Sequence, residues 1–185
     1  MKRRIGINAP VVLGYVGLCV LAFLIDLLTG GAANRSLFSV YRSSLANPLA
    51  WLRMFTHVLG HSDWNHLLTN MMYIVILGPL LEEKYGARRM LLLMLVVALV
   101  TGVVHFLLFP GTMLLGASGI VFSMILLSSI TGSREIPLTF ILVAVMYIGQ
   151  QVYEGLFVAD NVSQLTHILG GLIGAAVGFR FRKDA

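Results

Sequence analysis

Long apolar runs separated by short polar breaks dominate the chain. Each run is close to the length of a helix that crosses a bilayer, which needs roughly 20 residues. A backbone inside lipid must satisfy its own hydrogen bonds, and an α-helix does so within one segment. We therefore predict six transmembrane helices, over residues 10–28, 64–81, 89–109, 118–133, 136–153 and 163–181.

The first run needs a separate test, because basic residues precede it as they do in a signal peptide. Lys2, Arg3 and Arg4 come before the run, and small residues follow it at 31–33. The apolar core of a signal peptide is usually about 7–15 residues long. The run from Pro10 to Leu28 is longer than that and suits a membrane span. We interpret it as a retained first helix.

The connection between the first two spans is long, from residue 29 to residue 63, and mixes polar with apolar residues. It contains Phe38, Tyr41 and Trp51. Aromatic rings, those of Trp and Tyr above all, favour the membrane–water interface. We expect this first outer loop to be partly helical and to lie against the outer leaflet.

Composition supports a membrane protein. Of the 185 residues, 58% are hydrophobic and 11% are charged. A soluble domain of this size needs a more highly charged exterior. The net charge of +5 would suit a nucleic-acid partner, but the basic residues lie at the ends of apolar runs and not in one patch. We predict an all-α, multi-pass protein with one membrane domain, residues 1–185, whose partner is the lipid bilayer and not nucleic acid.

The distribution of basic residues also predicts the orientation. Lys and Arg favour the cytoplasmic side of a membrane. Most of them would lie on the side of the two termini, and only Arg35, Arg42 and Arg53 would lie on the other side. We therefore expect both termini in the cytoplasm, and a bacterial inner membrane suits a six-span chain with short tails.

Three polar sites interrupt the second, fourth and sixth predicted spans. They are His66 with Asn70, Ser118 and His167. From His66, Ser118 and His167 to the cytoplasmic ends of their spans, the chain has 16, 16 and 13 residues. At the rise of an α-helix these are roughly 24, 24 and 20 Å, in a hydrocarbon core about 30 Å thick. The three sites therefore lie at one level, below the outer surface.

A hydroxyl, an imidazole and a pair of donors at one depth suit nucleophilic catalysis. A His accepts the proton of a Ser hydroxyl, and the oxygen attacks a carbonyl. His66 and Asn70 are four residues apart and share a helix face. Together with backbone N–H groups near Ser118, they can donate to a developing oxyanion. Because no acidic residue lies at this depth in the three spans, we predict a dyad of Ser118 and His167 and not a triad.

Small residues near these sites also have a packing interpretation. Gly, Ala and Ser in membrane helices let neighbouring helices approach closely. By that rule Ser118 alone would be a packing residue, and His167 alone would be a core imidazole bonded to a hydroxyl. Gly170, Gly174 and Gly178 are spaced by four and share one face. We expect this face to pack against the fourth span, which would bring His167 to Ser118.

Taken together, the motifs resemble those of the rhomboid family of intramembrane serine proteases. The resemblance extends roughly from Trp51 to Gly178. The first loop has Arg53-x-x-Thr56 with His61 and Trp64, and His66-x-x-x-Asn70 resembles the oxyanion motif that follows. Gly78, Glu82 and Gly86 resemble the turn after that motif. Gly116-Ala117-Ser118-Gly119 resembles the nucleophile motif, and His167 with Gly170-Gly171 resembles the last-helix motif.

The resemblance implies a six-transmembrane-helix rhomboid-like bundle that opens to water from the outer, periplasmic side. It implies Ser118 as the nucleophile and His167 as the general base. His66, Asn70 and the Ser118 backbone N–H would form the oxyanion hole. Around them, the supporting residues would be Gly116, Gly119, Phe122, Arg53, Gly170 and Gly171.

The chain departs from the family pattern at two positions. Leu52 stands where the family commonly has Trp before the loop arginine. Phe122 stands one turn after Ser118, where some members have Tyr. Phe122 can still stack on His167 but offers no hydroxyl. Neither departure touches the predicted dyad.

The resemblance also implies the substrate and its route. Single-span transmembrane proteins would be cut within or near the membrane, without a cofactor. We expect the substrate helix to enter laterally, between the second and fifth spans. The loop over residues 154–162 would act as a lid.

Three other functions remain open. A metal site would draw on His57, His61 and His66, but no carboxylate or Cys completes a zinc set, so we expect no metal. A non-catalytic rhomboid-like protein would bind membrane segments without cutting them, although such relatives usually lack the Ser or the His. A transporter would show broken helices in matched halves, which the sequence lacks.

Overall fold

The computed structural model describes residues 6–130, 136–157 and 164–182, except for the side chains of residues 154, 155, 181 and 182. The described residues form an all-α fold, as predicted, and their one extended pairing is an isolated bridge between Val40 and Leu114. A short 3-10 segment covers His57–Leu59. The α-helices are α1 (Pro10–Leu28), α2 (Ala32–Ser36), α3 (Pro48–Thr56), α4 (Trp64–Tyr85), α5 (Ala87–Leu108), α6 (Ser118–Ser129), α7 (Leu138–Phe157) and α8 (Gln164–Arg182).

The six longest helices, α1 and α4 to α8, correspond in order to the six predicted spans. Among the described residues, α1 and α5 meet a test for membrane spans based on length and hydropathy alone. The shorter α6 ends at Ser129, and residues 131–133 of its predicted span lie outside the described residues. The first outer loop is partly helical, as expected, because it contains α2 and α3.

The second span is longer than predicted, since α4 continues past Leu81 to Tyr85. Its last turn holds Glu82, which is buried. The Glu82 carboxylate accepts hydrogen bonds from the backbone N–H groups of Val11 and Val12, at 3.1 and 2.9 Å. An acidic group is stabilised at a helix N-terminus, so Glu82 caps α1 from inside the bundle. Gly86, with φ +86°, then ends α4.

Helix α6 lies at the centre of the bundle and packs on α4, α5, α7 and α8. Its side chains Ile120, Met124 and Leu127 are fully buried. A helix that is apolar all round belongs in the interior of a large protein or a membrane bundle. The outer helices instead expose many large apolar side chains, Ile76 and Val145 among them, far more than a soluble monomer shows. This is the arrangement of a bundle surrounded by lipid.

The contact between α6 and α8 is made by the predicted glycine face. A Cβ atom at Gly170 would overlap the carbonyl oxygen of Gly119, and one at Gly174 would overlap that of Ser123. At Gly178 it would lie 2.7 Å from Cδ1 of Ile130. The expected close packing of the sixth span on the fourth is therefore confirmed.

The first outer loop holds the segment that precedes α6. The bridge between Val40 and Leu114 has both hydrogen bonds at 2.9 Å. Nearby, the Gly116 N–H donates to the carbonyl of His57, also at 2.9 Å. The His57 ring is itself fixed, with Nδ1 3.2 Å from the Arg53 carbonyl and Nε2 3.3 Å from the Thr101 hydroxyl. The loop thus ties the start of α6 to α5.

Arg53 supports this loop and does not reach the predicted site. It is buried, and its guanidinium donates to the Tyr41 hydroxyl at 2.8 Å and to Ser43 Oγ at 2.7 Å. The guanidinium carbon also lies 4.2 Å from the centre of the Tyr41 ring. These contacts join α3 to the preceding stretch of loop. The supporting role predicted for Arg53 is therefore one of loop architecture.

We expect the stability of the bundle to fall in mild acid because of two histidines in the outer loop. Burial lowers the pKa of His57 and of His61 from the usual 6.5 to about 4. The folded state therefore favours neutral rings, and their contribution is complete above pH 6.5 and is lost as the pH falls toward 4. The loss should be on the order of 2 kcal/mol per ring. Unfolding in detergent micelles at pH 7.5, 6.0 and 4.5 measures it.

The double variant H57Q/H61Q is the control for this pH dependence, because an amide does not titrate. It should unfold more easily at pH 7.5 but lose less stability between pH 6.5 and 4.5 than the parent chain. An unchanged pH slope in the double variant would assign the acid sensitivity to carboxylates instead.

The glycine face makes a second prediction, on packing. G174A should lower the free energy of unfolding by about 1–3 kcal/mol, because the new methyl group meets rigid backbone. G14A in α1 is the matched control, since a Cβ there would contact nothing within 4 Å. It should raise stability by up to about 1 kcal/mol through helix propensity. Equal effects of the two variants in a micelle unfolding assay would contradict this account.

Candidate active site

Ser118 is the first residue of α6 and follows a sharp turn. The turn is made by Gly116, whose φ of +127° is in the region that only glycine adopts readily. A Cβ at Gly116 would also lie 2.6 Å from Nε2 of His66. Glycine is therefore needed twice here, for the backbone angle and for the approach of α4. The predicted supporting role of Gly116 has a clear physical basis.

The hydroxyl of Ser118 lies within hydrogen-bond distance of His167. The His167 Nε2 is 2.9 Å from Ser118 Oγ, and the ring is buried in the second turn of α8. The glycine face positions the two groups, because Gly170 lies one turn after His167 and contacts the backbone of Gly119. The two residues predicted as a pair are thus brought together.

Phe122 packs against the imidazole from one side. Its ring centre is 4.6 Å from that of His167 and 4.4 Å from that of Tyr147 on α7. The stacking expected for a Phe at this position is therefore present. Gly171 keeps α7 close, because a Cβ there would lie 2.9 Å from the Tyr147 ring. Aromatic packing thus covers one face of the imidazole.

Gly119 differs from the other glycines of the site. A Cβ there would lie 3.5–3.6 Å from Val97, Thr101 and Thr166, which is ordinary contact. What Gly119 contributes is its backbone, against which Gly170 packs. The absence of a side chain is thus less essential at Gly119 than at Gly170.

His66 faces the site with its Nε2 atom. At the other side of the ring, Nδ1 is 3.4 Å from the Ser62 backbone N–H and 3.1 Å from the Ser62 hydroxyl. A backbone N–H only donates, so Nδ1 is the acceptor and the proton of a neutral ring lies on Nε2. The N–H of His66 therefore points to the turn at Gly116, just before Ser118.

Asn70 lies one turn after His66 and is 5% exposed. Its Nδ2 atom is buried and has no hydrogen-bond partner among the described residues. An unpaired buried donor costs about 1–3 kcal/mol, so its retention needs an explanation. A donor held ready for an incoming oxygen atom is such an explanation.

A cavity of about 710 Å³ joins these groups. Ser118, His167, His66 and Asn70 all line it. The first N–H groups of a helix lack intrahelical partners, so the start of α6 adds further donors. The remaining lining is mainly apolar and includes Leu115, Val121, Phe122, Ile125, Val143 and Met146. The cavity can hold an apolar chain segment beside a row of donors.

Sequence reasoning missed Gln151 on α7. It is 2% exposed, and its Oε1 lies 2.6 Å from Nδ1 of His167. The search for a third group covered acidic side chains in three spans, whereas Gln151 is an amide in another span. The available signal was a pair of glutamines, Gln150 and Gln151, inside an apolar run.

The three histidines considered for a metal site do not converge. His57 bonds to Arg53 and Thr101, as described above. The His61 ring lies edge-on to the His66 ring at 4.9 Å, with its Nδ1 directed to the Leu59 carbonyl. In the described ranges, no group of three His, Cys, Asp or Glu side chains is placed to hold a metal ion. Nothing in their geometry favours the metal alternative.

The chain is similar to known rhomboid proteins. Residues 48–184 match the Rhomboid domain. The chain is 26% identical over 176 residues to Rhomboid protease GlpG of Yersinia pestis, covering 92% of this chain and 62% of the relative. It is 28% identical over 134 residues to Rhomboid-like protein 11, chloroplastic, of Arabidopsis thaliana, covering 70% of this chain and 44% of the relative.

The chain thus spans less than two thirds of the length of these curated relatives. The domain match nevertheless covers most of the 185 residues, including the central α6 and the α8 that packs on it. The helical bundle and the order of its polar residues agree with that match. This chain belongs to the membrane-embedded rhomboid family.

Proposed function

We propose that this protein is an intramembrane serine endopeptidase that cuts transmembrane segments of other membrane proteins. The observation that carries the proposal is the 2.9 Å distance between Ser118 Oγ and His167 Nε2, beside the buried unpaired donor of Asn70. Membership of a family whose Yersinia relative is named a protease supports it. The roles below follow from these contacts.

Ser118 is the nucleophile and His167 the general base. The imidazole takes the hydroxyl proton through Nε2 while Oγ attacks the carbonyl carbon of a substrate peptide bond. The tetrahedral intermediate then collapses, and the C–N bond breaks as the leaving nitrogen takes the proton back from the imidazolium. Water hydrolyses the resulting ester by the same proton transfers in reverse and frees Ser118.

His66, Asn70 and the backbone N–H of Ser118 form the oxyanion hole. The Nε2–H of His66 and the Nδ2–H of Asn70 come from α4, and the backbone N–H comes from the start of α6. The N-terminus of a helix favours negative charge. In an apolar cavity such donors stabilise the oxyanion more than they would in water.

The substrate enters from the side, between α4 and α7. Both helices line the cavity, α4 through Tyr73 and α7 through Met146. Helix α7 packs on α6 and α8, and its outer face is exposed to lipid. A helical carbonyl is already hydrogen-bonded, so the substrate must unwind before Ser118 can reach it.

The predicted lid, the loop over residues 154–162, lies only partly within the described residues. Helix α7 runs to Phe157, so the first four residues of the predicted loop 154–162 belong to it. Residues 158–162 lie outside the described residues.

We place both termini in the cytoplasm and the cavity mouth toward the periplasm of a bacterial inner membrane. Besides the positive charges, the exposed side chains of α3 support this orientation. Trp51 is 54% exposed and lies beside Leu52 and Phe55, which are also exposed. An amphipathic helix of this kind lies in a membrane–water interface.

Replacing the nucleophile should abolish cleavage. S118A should reduce cleavage of a reporter transmembrane substrate to background, because no other group can form the ester. A gel assay of the purified protein in micelles measures cleavage, and labelling with a fluorophosphonate measures the reactivity of the serine. The control is S128A in the same helix, because the Ser128 hydroxyl donates to the Ile125 carbonyl and does not line the cavity, and this variant should cleave normally.

Retained cleavage by S118A would remove Ser118 as the nucleophile. An inactive parent chain that captures substrate without cutting it would instead favour the non-catalytic binding protein. Co-purification of the uncut reporter distinguishes that result from a failure to bind.

Replacing the oxyanion donor should separate activity from stability. N70L should lower kcat about 100- to 1,000-fold, while KM changes little, because the interaction forms only in the transition state. The same variant should be at least as stable as the parent, because it removes a buried donor without a partner. Steady-state kinetics and thermal unfolding measure the two effects.

L68A is the control for N70L, since Leu68 lies in the same helix, is 59% exposed and is not among the residues that line the cavity. It should change kcat less than threefold. A stable N70L variant with normal kcat would show that Asn70 does not bind the oxyanion.

A further inference from the structure

We propose that Gln151 is a positioning residue that holds His167 in the tautomer and orientation needed to accept the Ser118 proton. The inference rests on the proposed function. It adds a third member to the predicted pair, contributed by α7 and not by the helices that carry Ser118 and His167.

The hydrogen bonds on the two ring nitrogens of His167 carry the proposal. Nε2 is 2.9 Å from Ser118 Oγ, and Nδ1 is 2.6 Å from Gln151 Oε1. An amide oxygen only accepts hydrogen bonds, so Nδ1 carries the ring proton. In a neutral ring, Nε2 is then bare and can take the proton of Ser118. The opposite tautomer would place a proton on Nε2 and prevent the transfer.

Burial makes this assignment hold in the membrane. Gln151 is 2% exposed and His167 is 8% exposed. Few waters can therefore replace the amide oxygen as the partner of Nδ1. Phe122 covers the ring face at 4.6 Å, so the imidazole is fixed by stacking on one side and by Gln151 at its edge. The ring has little freedom to turn away from Ser118.

A neutral amide suits this depth better than a carboxylate. The amide oxygen carries partial negative charge, so it favours the imidazolium that forms when Ser118 is deprotonated. A buried carboxylate would do so more strongly, but its charge must lose its hydration, and ionised side chains are rare within the membrane. Gln151 can thus support His167 as a base, although the described groups around the ring include no acidic residue.

Two substitutions separate the roles of the side chain. Q151M keeps the length and removes the acceptor, whereas Q151E keeps the shape and adds charge. V152M is the matched control, because Val152 is the next residue and is 48% exposed on the outer face of α7. Each variant is purified in micelles and tested for unfolding temperature, kcat, KM and pH dependence of cleavage.

Q151M should lower kcat about 10- to 100-fold and leave KM within twofold. Q151E should keep kcat within fivefold of the parent and move the acid limb of the pH profile upward by about one pH unit. A carboxylate favours the charged imidazole, so His167 becomes neutral only at higher pH. The other described titratable groups around the cavity are His66 and Tyr73 of α4 and Tyr147 of α7. They are unchanged in all three variants.

Nitrogen NMR of the histidine rings gives a readout that does not need cleavage. The chain has five histidines, and the spectrum of H167Q assigns the signal of His167. The parent and V152M should show the proton on Nδ1, and Q151M should show a mixture of tautomers. A parent spectrum with the proton on Nε2 would overturn the proposal, even if Q151M failed to fold.

Kinetics can overturn the proposal independently. A folded Q151M variant with the kcat and pH profile of the parent would show that Gln151 is only a packing residue. The proposed function would still stand in that case, provided that S118A loses activity. If the parent chain showed no cleavage that depends on Ser118, the proposed function would fail instead. The two failures are therefore distinguishable.

Discussion

The backbone contact between α6 and α8 is the constraint on which the site depends. Gly170 and Gly174 lie directly against the backbone at Gly119 and Ser123. In lipid, apolar side chains gain nothing by leaving their surroundings, so helices associate through close packing and hydrogen bonds. The absence of side chains on this face sets the distance between the helices. That distance places the His167 ring beside Ser118, and larger residues at these positions would separate them.

The polar groups of the bundle divide into those that are satisfied and those that are not. Asp26 accepts from the Asn34 backbone and side chain at 2.7 and 2.8 Å, which ties α1 to the outer loop. Glu82 is satisfied in the same way by the start of α1. Both carboxylates are buried and structural. Asn70 has a buried donor without a described partner. Arg53 and His105 each have such a nitrogen as well, but of these three residues only Asn70 lines the cavity with Ser118 and His167.

The outer loop, although far from Ser118 and His167 in sequence, supports the turn that precedes Ser118. His57 binds the Gly116 N–H through its carbonyl and α5 through its ring. The strained angle at Gly116 is therefore held from outside α6. On the opposite side of the site, Gln151 reaches His167 from α7. If substrate enters beside α7 as proposed, it would contact the helix that carries Gln151, so binding and the position of the His167 ring would depend on one element.

The sequence by itself determined the helical class and the order of the long helices, and it predicted His66, Asn70, Ser118 and His167 as site residues. Apolar run length and spacing along one helix carry that information, because both are local properties of the chain. Only the tertiary structure decided that Glu82 caps α1, that α7 continues to Phe157 and that Gln151 reaches His167. These three features depend on which faces of different helices meet and on how far each helix is shifted along its neighbour. The spacing of residues within one helix cannot fix that shift, because it is set by contacts between helices.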